Sequence, residues 1–134
     1  MAALHARCFK VPRPWGEIEI REMLDQVHTF AVTEAQGFAL ARVIAGEAEL
    51  LTLAVAPEAR RSGIARRLLA AVVAEARVRR AARLMLEVAA DNVAAIALYH
   101  DAGFDRIARR PGYYRAPGRP AVDALVLSLP LPAD

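Results

Sequence analysis

Cysteine and lysine are nearly absent from this 134-residue chain, with one of each, and each scarcity removes options. A lone Cys8 excludes an internal disulfide and any cysteine metal cluster; it reads as a small packed side chain. His5, His28 and His100 are too scattered for metal-ligand spacing, so no metal is expected. No apolar run approaches the ~20 residues that a bilayer-spanning helix needs, so no membrane partner is expected. The N-terminus lacks a charged start followed by an apolar core, which makes the cytoplasm the expected location. Aromatic residues make up only 6%, too few for a base-stacking surface.

What is present describes a folded globule. Apolar residues reach 56% and charged ones 25%, with no disorder signature, and the length suits one domain over 1–134. Much of the apolar content is alanine, so the core is less voluminous than that share suggests. The net charge of +3 rests on seventeen arginines and Lys10. A basic chain invites a nucleic-acid reading, yet the arginines gather at 60–67 and 77–83. A small anionic ligand accounts for the first group, and a solvated helix face for the second. No direct nucleic-acid partner is expected, and the chain is expected to be a monomer.

The pattern of elements follows from periodicity and breakers. Ala2–Phe9 suits a short helix, which the prolines of Lys10–Pro14 interrupt. Trp15–Gln26 shows both strand-like alternation and a helical face; Pro14 ahead of Glu17 and Glu19 favours a helix. His28–Val32, Gly37–Ile44 and Ala48–Ala56 read as three strands of an antiparallel meander. Ile64, Leu68, Leu69, Val72, Val73 and Ala76 recur on one face of a long helix, and Arg83–Val88 is a buried strand. That strand–helix–strand passage implies a right-handed crossover and parallel pairing. Asp91–Asn92 caps a helix that Gly103 ends. Phe104–Ala108 is a strand, Arg109–Pro120 a loop carrying Tyr113 and Tyr114, and Ala121–Leu129 a last strand. The expected fold is α/β in the mixed α+β sense. It has a mixed sheet of about six strands, meander first and parallel βαβ after, flanked by about four helices.

The segment that organises the rest runs from Val55 to Leu69. Arg60-Arg61-Ser62-Gly63-Ile64-Ala65 lies between a strand and an amphipathic helix. Gly63 lets the backbone turn sharply and approach an oxyanion, and the helix start points its N–H groups into the same space. Arg60, Arg61, Arg66 and Arg67 surround it with positive charge. No Lys-Ser/Thr follows the glycine as in a nucleotide P-loop, and the further glycines of a dinucleotide fingerprint are missing.

Val55-x-Pro57-x-x-Arg60-Arg61-x-Gly63-Ile64-Ala65 resembles the pyrophosphate-binding motif of the GCN5-related N-acetyltransferases, Gln/Arg-x-x-Gly-x-Gly/Ala. Arg60, Gly63 and Ala65 stand at its defining positions. Leu86-Glu87-Val88, Asn92, Ala95 to Tyr99 and Gly103-Phe104 continue the pattern. With Pro111 to Tyr114 they look like the RimI-type branch, which acetylates the N-terminal alanine of a small-subunit ribosomal protein. The resemblance covers roughly residues 4 to 129 and is most specific from 53 to 114. Family members begin with a strand before the first helix; this chain starts inside that helix, so that strand is expected to be absent or encoded upstream.

The resemblance implies acetyl-coenzyme A as cosubstrate. It also implies a ribosomal-protein N-terminus, or another protein amine, as acceptor. Backbone N–H groups around Leu53, Ala54 and Val55 would pair with the pantetheine arm. The loop Arg60, Arg61, Ser62, Gly63, Ile64, Ala65 and Arg66 would hold the pyrophosphate, and Asn92 would touch the cofactor. Glu87 would accept the amine's proton and Tyr99 would give one to the sulfur. Each has a plainer reading: Glu87 as a carboxylate paired with an arginine, Tyr99 as a core tyrosine, Asn92 as a helix cap. Tyr113 and Tyr114 would either shape the acceptor pocket or pack on the sheet edge. A basic acceptor would need acidic residues nearby, for which Glu47, Glu49 and Asp123 are the candidates. The same chemistry on a lysine or a small-molecule amine is the alternative. A non-catalytic acyl-coenzyme A binding module is disfavoured, since it needs neither Glu87 nor Tyr99.

Overall fold

The computed structural model describes residues 16–60 and 62–132. The expected Ala2–Phe9 helix, the break at Lys10–Pro14, and Arg61 lie outside those residues. In chain order the elements are α1 (Glu17–Asp25), β1 (Thr29–Glu34), β2 (Gly37–Ile44), β3 (Glu47–Val55), a 3-10 turn (Pro57–Ala59), α2 (Ile64–Val78), β4 (Arg83–Ala89), α3 (Val93–Asp101), β5 (Asp105–Tyr114) and β6 (Val122–Pro130). The six strands form one sheet in the order β1-β2-β3-β4-β6-β5. The meander, the parallel β3–β4 pair after the α2 crossover and the antiparallel C-terminal strands agree with the expected mixed architecture. Ala45 (φ 51°) and Gly46 (φ 80°) make the two-residue turn between β2 and β3, the positive-φ geometry that matches strand twist.

Helix α2 lies on one face of the sheet. Ile64, Leu68, Leu69, Val72 and Ala76 are buried against Ala39, Ala41, Leu50, Leu84 and Leu86. On the opposite face Ile20 of α1 packs with Phe38, Leu40 and Ala54. A buried leucine or isoleucine stabilises by about 1.5–3 kcal/mol, whereas ion pairs as exposed as Arg21–Glu17 or Arg66–Asp101 contribute little. Apolar packing therefore holds α2 in place.

One irregularity in β3 matters more than the rest. Ala41 pairs with Leu50 but Leu40 pairs with Thr52, so Leu51 is an extra residue opposite β2, a β-bulge. The bulge reverses which residues face which side. Ala48 and Leu50 face the α2 core before it, Leu53 and Val55 after it, while Ala54 joins the α1 side. The parallel ladder to β4 stops just before the bulge, with only Glu47, Ala48 and Glu49 opposite Arg83, Leu84 and Met85. From Leu50 onward the two central strands splay apart.

Strand β5 differs from the sequence expectation. It runs through Arg109 to Tyr114 rather than ending at Ala108. Pro111 and Gly112 read as breakers in the sequence, but β5 is the outer strand of the sheet, and edge strands accommodate proline and glycine at bulges. Between the Arg110↔Ala124 and Tyr114↔Val122 pairs, three residues of β5 stand opposite Asp123 alone. The Asp123 carboxylate secures this bulge, accepting from Gly112 N at 2.7 Å and from Arg109 Nε at 2.6 Å. These two bonds, the Gly112 amide first, hold the Asp123 carboxyl below the usual carboxylate range. Tyr113 and Tyr114 thus sit on a strand, not in a loop.

Candidate active site

The splay between β3 and β4 opens a cleft of 910 Å³. Its floor is Leu50–Val55 and Leu86–Ala89, one wall is the start of α2, and the other is α3. Leu53, Ala54, Val55, Arg60, Gly63, Ile64, Ala65, Arg66, Glu87, Asn92 and Tyr99 all line it, joined by Tyr114. Residues named from three separate motifs therefore converge on one space.

At one end of the cleft stands the N-terminus of α2. Gly63 caps it at φ 85°, ψ 0°, and among the described residues no side-chain cap bond is made there. An uncapped helix start opening into a cleft is a binding point for an oxyanion. A side chain at Gly63 would be strained by that φ, and its Cβ would come within 3.3 Å of Arg67 Nη1.

The described arginines of this segment each meet a group of the protein. Arg60 turns back and donates from Nε to the Val55 carbonyl at 3.4 Å. Arg66 pairs with Asp101 at 3.4 Å. Arg67 is drawn to Glu34 of β1, with bonds of 2.8 to 3.2 Å, and this bond holds the Glu34 carboxyl below its usual range. The Ser62 hydroxyl does not line the cleft but donates to the Ala59 carbonyl, the local backbone bond that serine favours in turns. Arg60 and Arg66 line the cleft together with the backbone around Gly63, Ile64 and Ala65.

Where the splay begins, the functional groups change character. Tyr99 is 7% exposed and meets Phe104 edge-on, ring centroids 5.6 Å apart. Burial, with a smaller contribution from Tyr114, pushes its hydroxyl far above the ordinary tyrosine range. Tyr114 is pushed up to about 12, by burial first and then by the charge of Glu87 and by Tyr113. Both phenols stay protonated across the neutral range and can donate. Glu87 lies near enough to Tyr114 to act on it, lines the same cleft as Tyr99, and accepts from Arg110 Nη1 at 2.8 Å. It also lines a second, 350 Å³ groove on the sheet with Arg42, Glu49, Met85 and Val126. This carboxylate thus borders two recesses at once.

The plainer readings are realised here alongside the cleft placement. Glu87 does pair with an arginine, Tyr99 is a core tyrosine, and the Asn92 side chain caps α3 by accepting from Ala95 N at 3.1 Å. Of the three acidic candidates, Glu47 and Glu49 line the second groove with Glu87, and Asp123 does not. Glu47 pairs with Arg83, Glu49 with Arg42, and Asp123 is committed to the β5 bulge. Two residues were missed by sequence reasoning: Arg110, the partner of Glu87, and Asp123 in its structural role. The Pro111-Gly112 pair inside an alternating segment was the available signal for the bulge. Among the described residues no group of His, Cys, Asp or Glu could hold a metal, and no helix is long and apolar enough to cross a membrane.

A sheet parted between its central strands, with a helix N-terminus at the gap, is the architecture of a class that binds a phosphate-bearing cosubstrate. The chain belongs to the acetyltransferase (GNAT) family, whose model matches residues 1–104. It is 42% identical over 95 residues to the [ribosomal protein bS18]-alanine N-acetyltransferase of Escherichia coli K12, a match covering 70% of this chain and 63% of that protein. The chain thus spans less than two thirds of the length of that curated relative. It is 34% identical over 129 residues to the N-alpha-acetyltransferase RimI of Mycobacterium tuberculosis, covering 90% of this chain and 80% of that one. The solved structure of the ribosomal-protein-S18-alanine N-acetyltransferase from Escherichia coli superposes with a TM-score of 0.87 at 30% identity, over 99% of this chain and 86% of that one.

Proposed function

We propose that this protein transfers the acetyl group of acetyl-coenzyme A to a protein N-terminal α-amine, that of an alanine at the start of a small-subunit ribosomal protein. The observation that carries the reading is the convergence of Glu87 and Tyr99 on a cleft whose far end is the uncapped start of α2. The names of the relatives supply the acceptor.

The cosubstrate brings an activated thioester at one end and a pyrophosphate at the other. The amides around Gly63, Ile64 and Ala65 hold the pyrophosphate, and the splayed edge of β3 around Leu53 and Ala54 aligns the pantetheine arm. Glu87 takes the proton from the acceptor nitrogen, which approaches from the side of the second groove. Tyr99 gives its proton to the departing sulfur. An α-amine suits this arrangement, because its reference pKa near 8 lies well below the ~10.4 of lysine, so more of it is neutral near pH 7.

Two results test this reading. A peptide beginning Ala-Arg and containing an internal lysine is expected to gain its acetyl group on the α-amine, as read by fragment-ion mass spectrometry. Preferential modification of the lysine would move the protein to a different acceptor class. For the cosubstrate, Gly63→Val is expected to weaken acetyl-coenzyme A binding at least ~10²-fold by titration calorimetry. The Val side chain fills the anion's position, and a β-branched residue at φ 85° carries a strain of ~1–3 kcal/mol. Arg66→Ala should weaken binding tenfold or less, as an exposed ionic contact does. Unchanged affinity in Gly63→Val would overturn the phosphate-cradle assignment.

A further inference from the structure

We infer that Arg110 is the positioning residue of Glu87, fixing one carboxylate oxygen so that the other faces the reacting amine. The inference rests on Glu87 being the proton acceptor. The contact is single: Arg110 Nη1 meets Glu87 Oε1 at 2.8 Å, and among the described residues no donor bonds to Oε2. A two-pronged pair would have occupied both oxygens. The single bond orients the carboxylate and leaves one oxygen for a proton.

Arg110 is itself held from two sides. Its guanidinium lies over the Tyr113 ring, 4.0 Å from the centroid, a stacking contact that a planar cation favours. Its backbone precedes the β5 bulge that Asp123 secures through Gly112 N and Arg109 Nε. From β5 the side chain reaches across β6 to β4, since β6 separates those two strands. A side chain stretched over a neighbouring strand to one carboxylate oxygen is a costly way to make a surface ion pair. Half-exposed pairs of this kind add little to stability, so the consequence of the contact lies in where it holds Glu87. In the reaction the proton leaving the acceptor nitrogen passes to Oε2, while Arg110 stays protonated and keeps its bond to Oε1. The Glu87 bond raises the proton affinity of Arg110 further, so the guanidinium keeps its own proton and the carboxylate remains free to take the one from the amine.

The test is a double-mutant cycle in kcat, at saturating acetyl-coenzyme A and Ala-Arg peptide, combining Arg110→Met with Glu87→Gln. A residue acting through Glu87 loses its effect when Glu87 can no longer accept a proton. Arg110→Met is expected to lower kcat about tenfold in the wild-type background and less than about twofold in Glu87→Gln. Acetyl-coenzyme A affinity and the melting temperature should stay near wild type. Arg110→Lys, which keeps the charge but not the planar stack, should recover part of the loss, and it provides the same comparison if the Met variant melts early. An equal loss in both backgrounds, or no loss in the wild type, overturns the positioning role. Wild-type turnover in Glu87→Gln itself would instead overturn the assignment on which it rests, so the two failures are distinguishable.

Discussion

Glu87→Gln is expected to lower kcat by ~10²–10⁴-fold, the usual contribution of a positioned general base. Glutamine keeps the shape of the side chain, and its carbonyl oxygen can still accept from Arg110. It cannot take a proton from the acceptor. Because Glu87 borders both recesses and its proposed role is toward the acceptor amine, cofactor affinity should be nearly unchanged. The pH dependence separates this from a packing defect. As pH rises past the ~8 reference pKa of an α-amine, more acceptor arrives already neutral, so the loss should shrink. A constant loss across pH 6.5 to about 9 would indicate that the variant fails for another reason.

Tyr99→Phe is expected to cost kcat a similar ~10²–10⁴-fold, with the opposite pH signature. Phenylalanine preserves the edge-on contact with Phe104 and the fill of the core, removing only the hydroxyl. The raised pKa of Tyr99 means that it is fully protonated throughout the working range, so its loss should be flat with pH. Stopped-flow turnover over the same pH series checks this. If the Phe variant recovers at high pH as the Glu87 variant does, the two groups share one role and the acid assignment falls. Undiminished turnover would leave Tyr99 as a core residue alone.

The sequence made the elements legible wherever period and breakers agreed. Helix α2 showed its buried stripe, β2 its ends, and Asn92 and Gly103 the limits of α3. The bulge at Leu51 was hidden because Glu49 to Val55 contains Leu50-Leu51-Thr52-Leu53, with too little contrast for a change of face to appear. That bulge adjoins the splay, so the shape of the cleft was not readable even though its lining residues were. The partner of Glu87 was hidden for a different reason. Arg110 is distant in sequence and separated by an intervening strand, and its position depends on a bulge that looks like a loop. Among the arginines at 60–67, Arg60 and Arg66 line the cleft, while the pairing of Arg67 with Glu34 of β1 depends on a contact that the sequence does not show.

If one cleft brings a thioester sulfur to Tyr99 and an amine to Glu87, a crystal structure with an Ala-Arg peptide joined through its α-amine to coenzyme A should show both. The pyrophosphate is expected on the amides of Gly63 to Ala65, and the sulfur within about 3.5 Å of the Tyr99 hydroxyl. The former amine nitrogen is expected beside Glu87, directly or through one water. A pyrophosphate bound away from the α2 start, or an amine nitrogen remote from Glu87 with the Arg110 pair facing elsewhere, would contradict that arrangement.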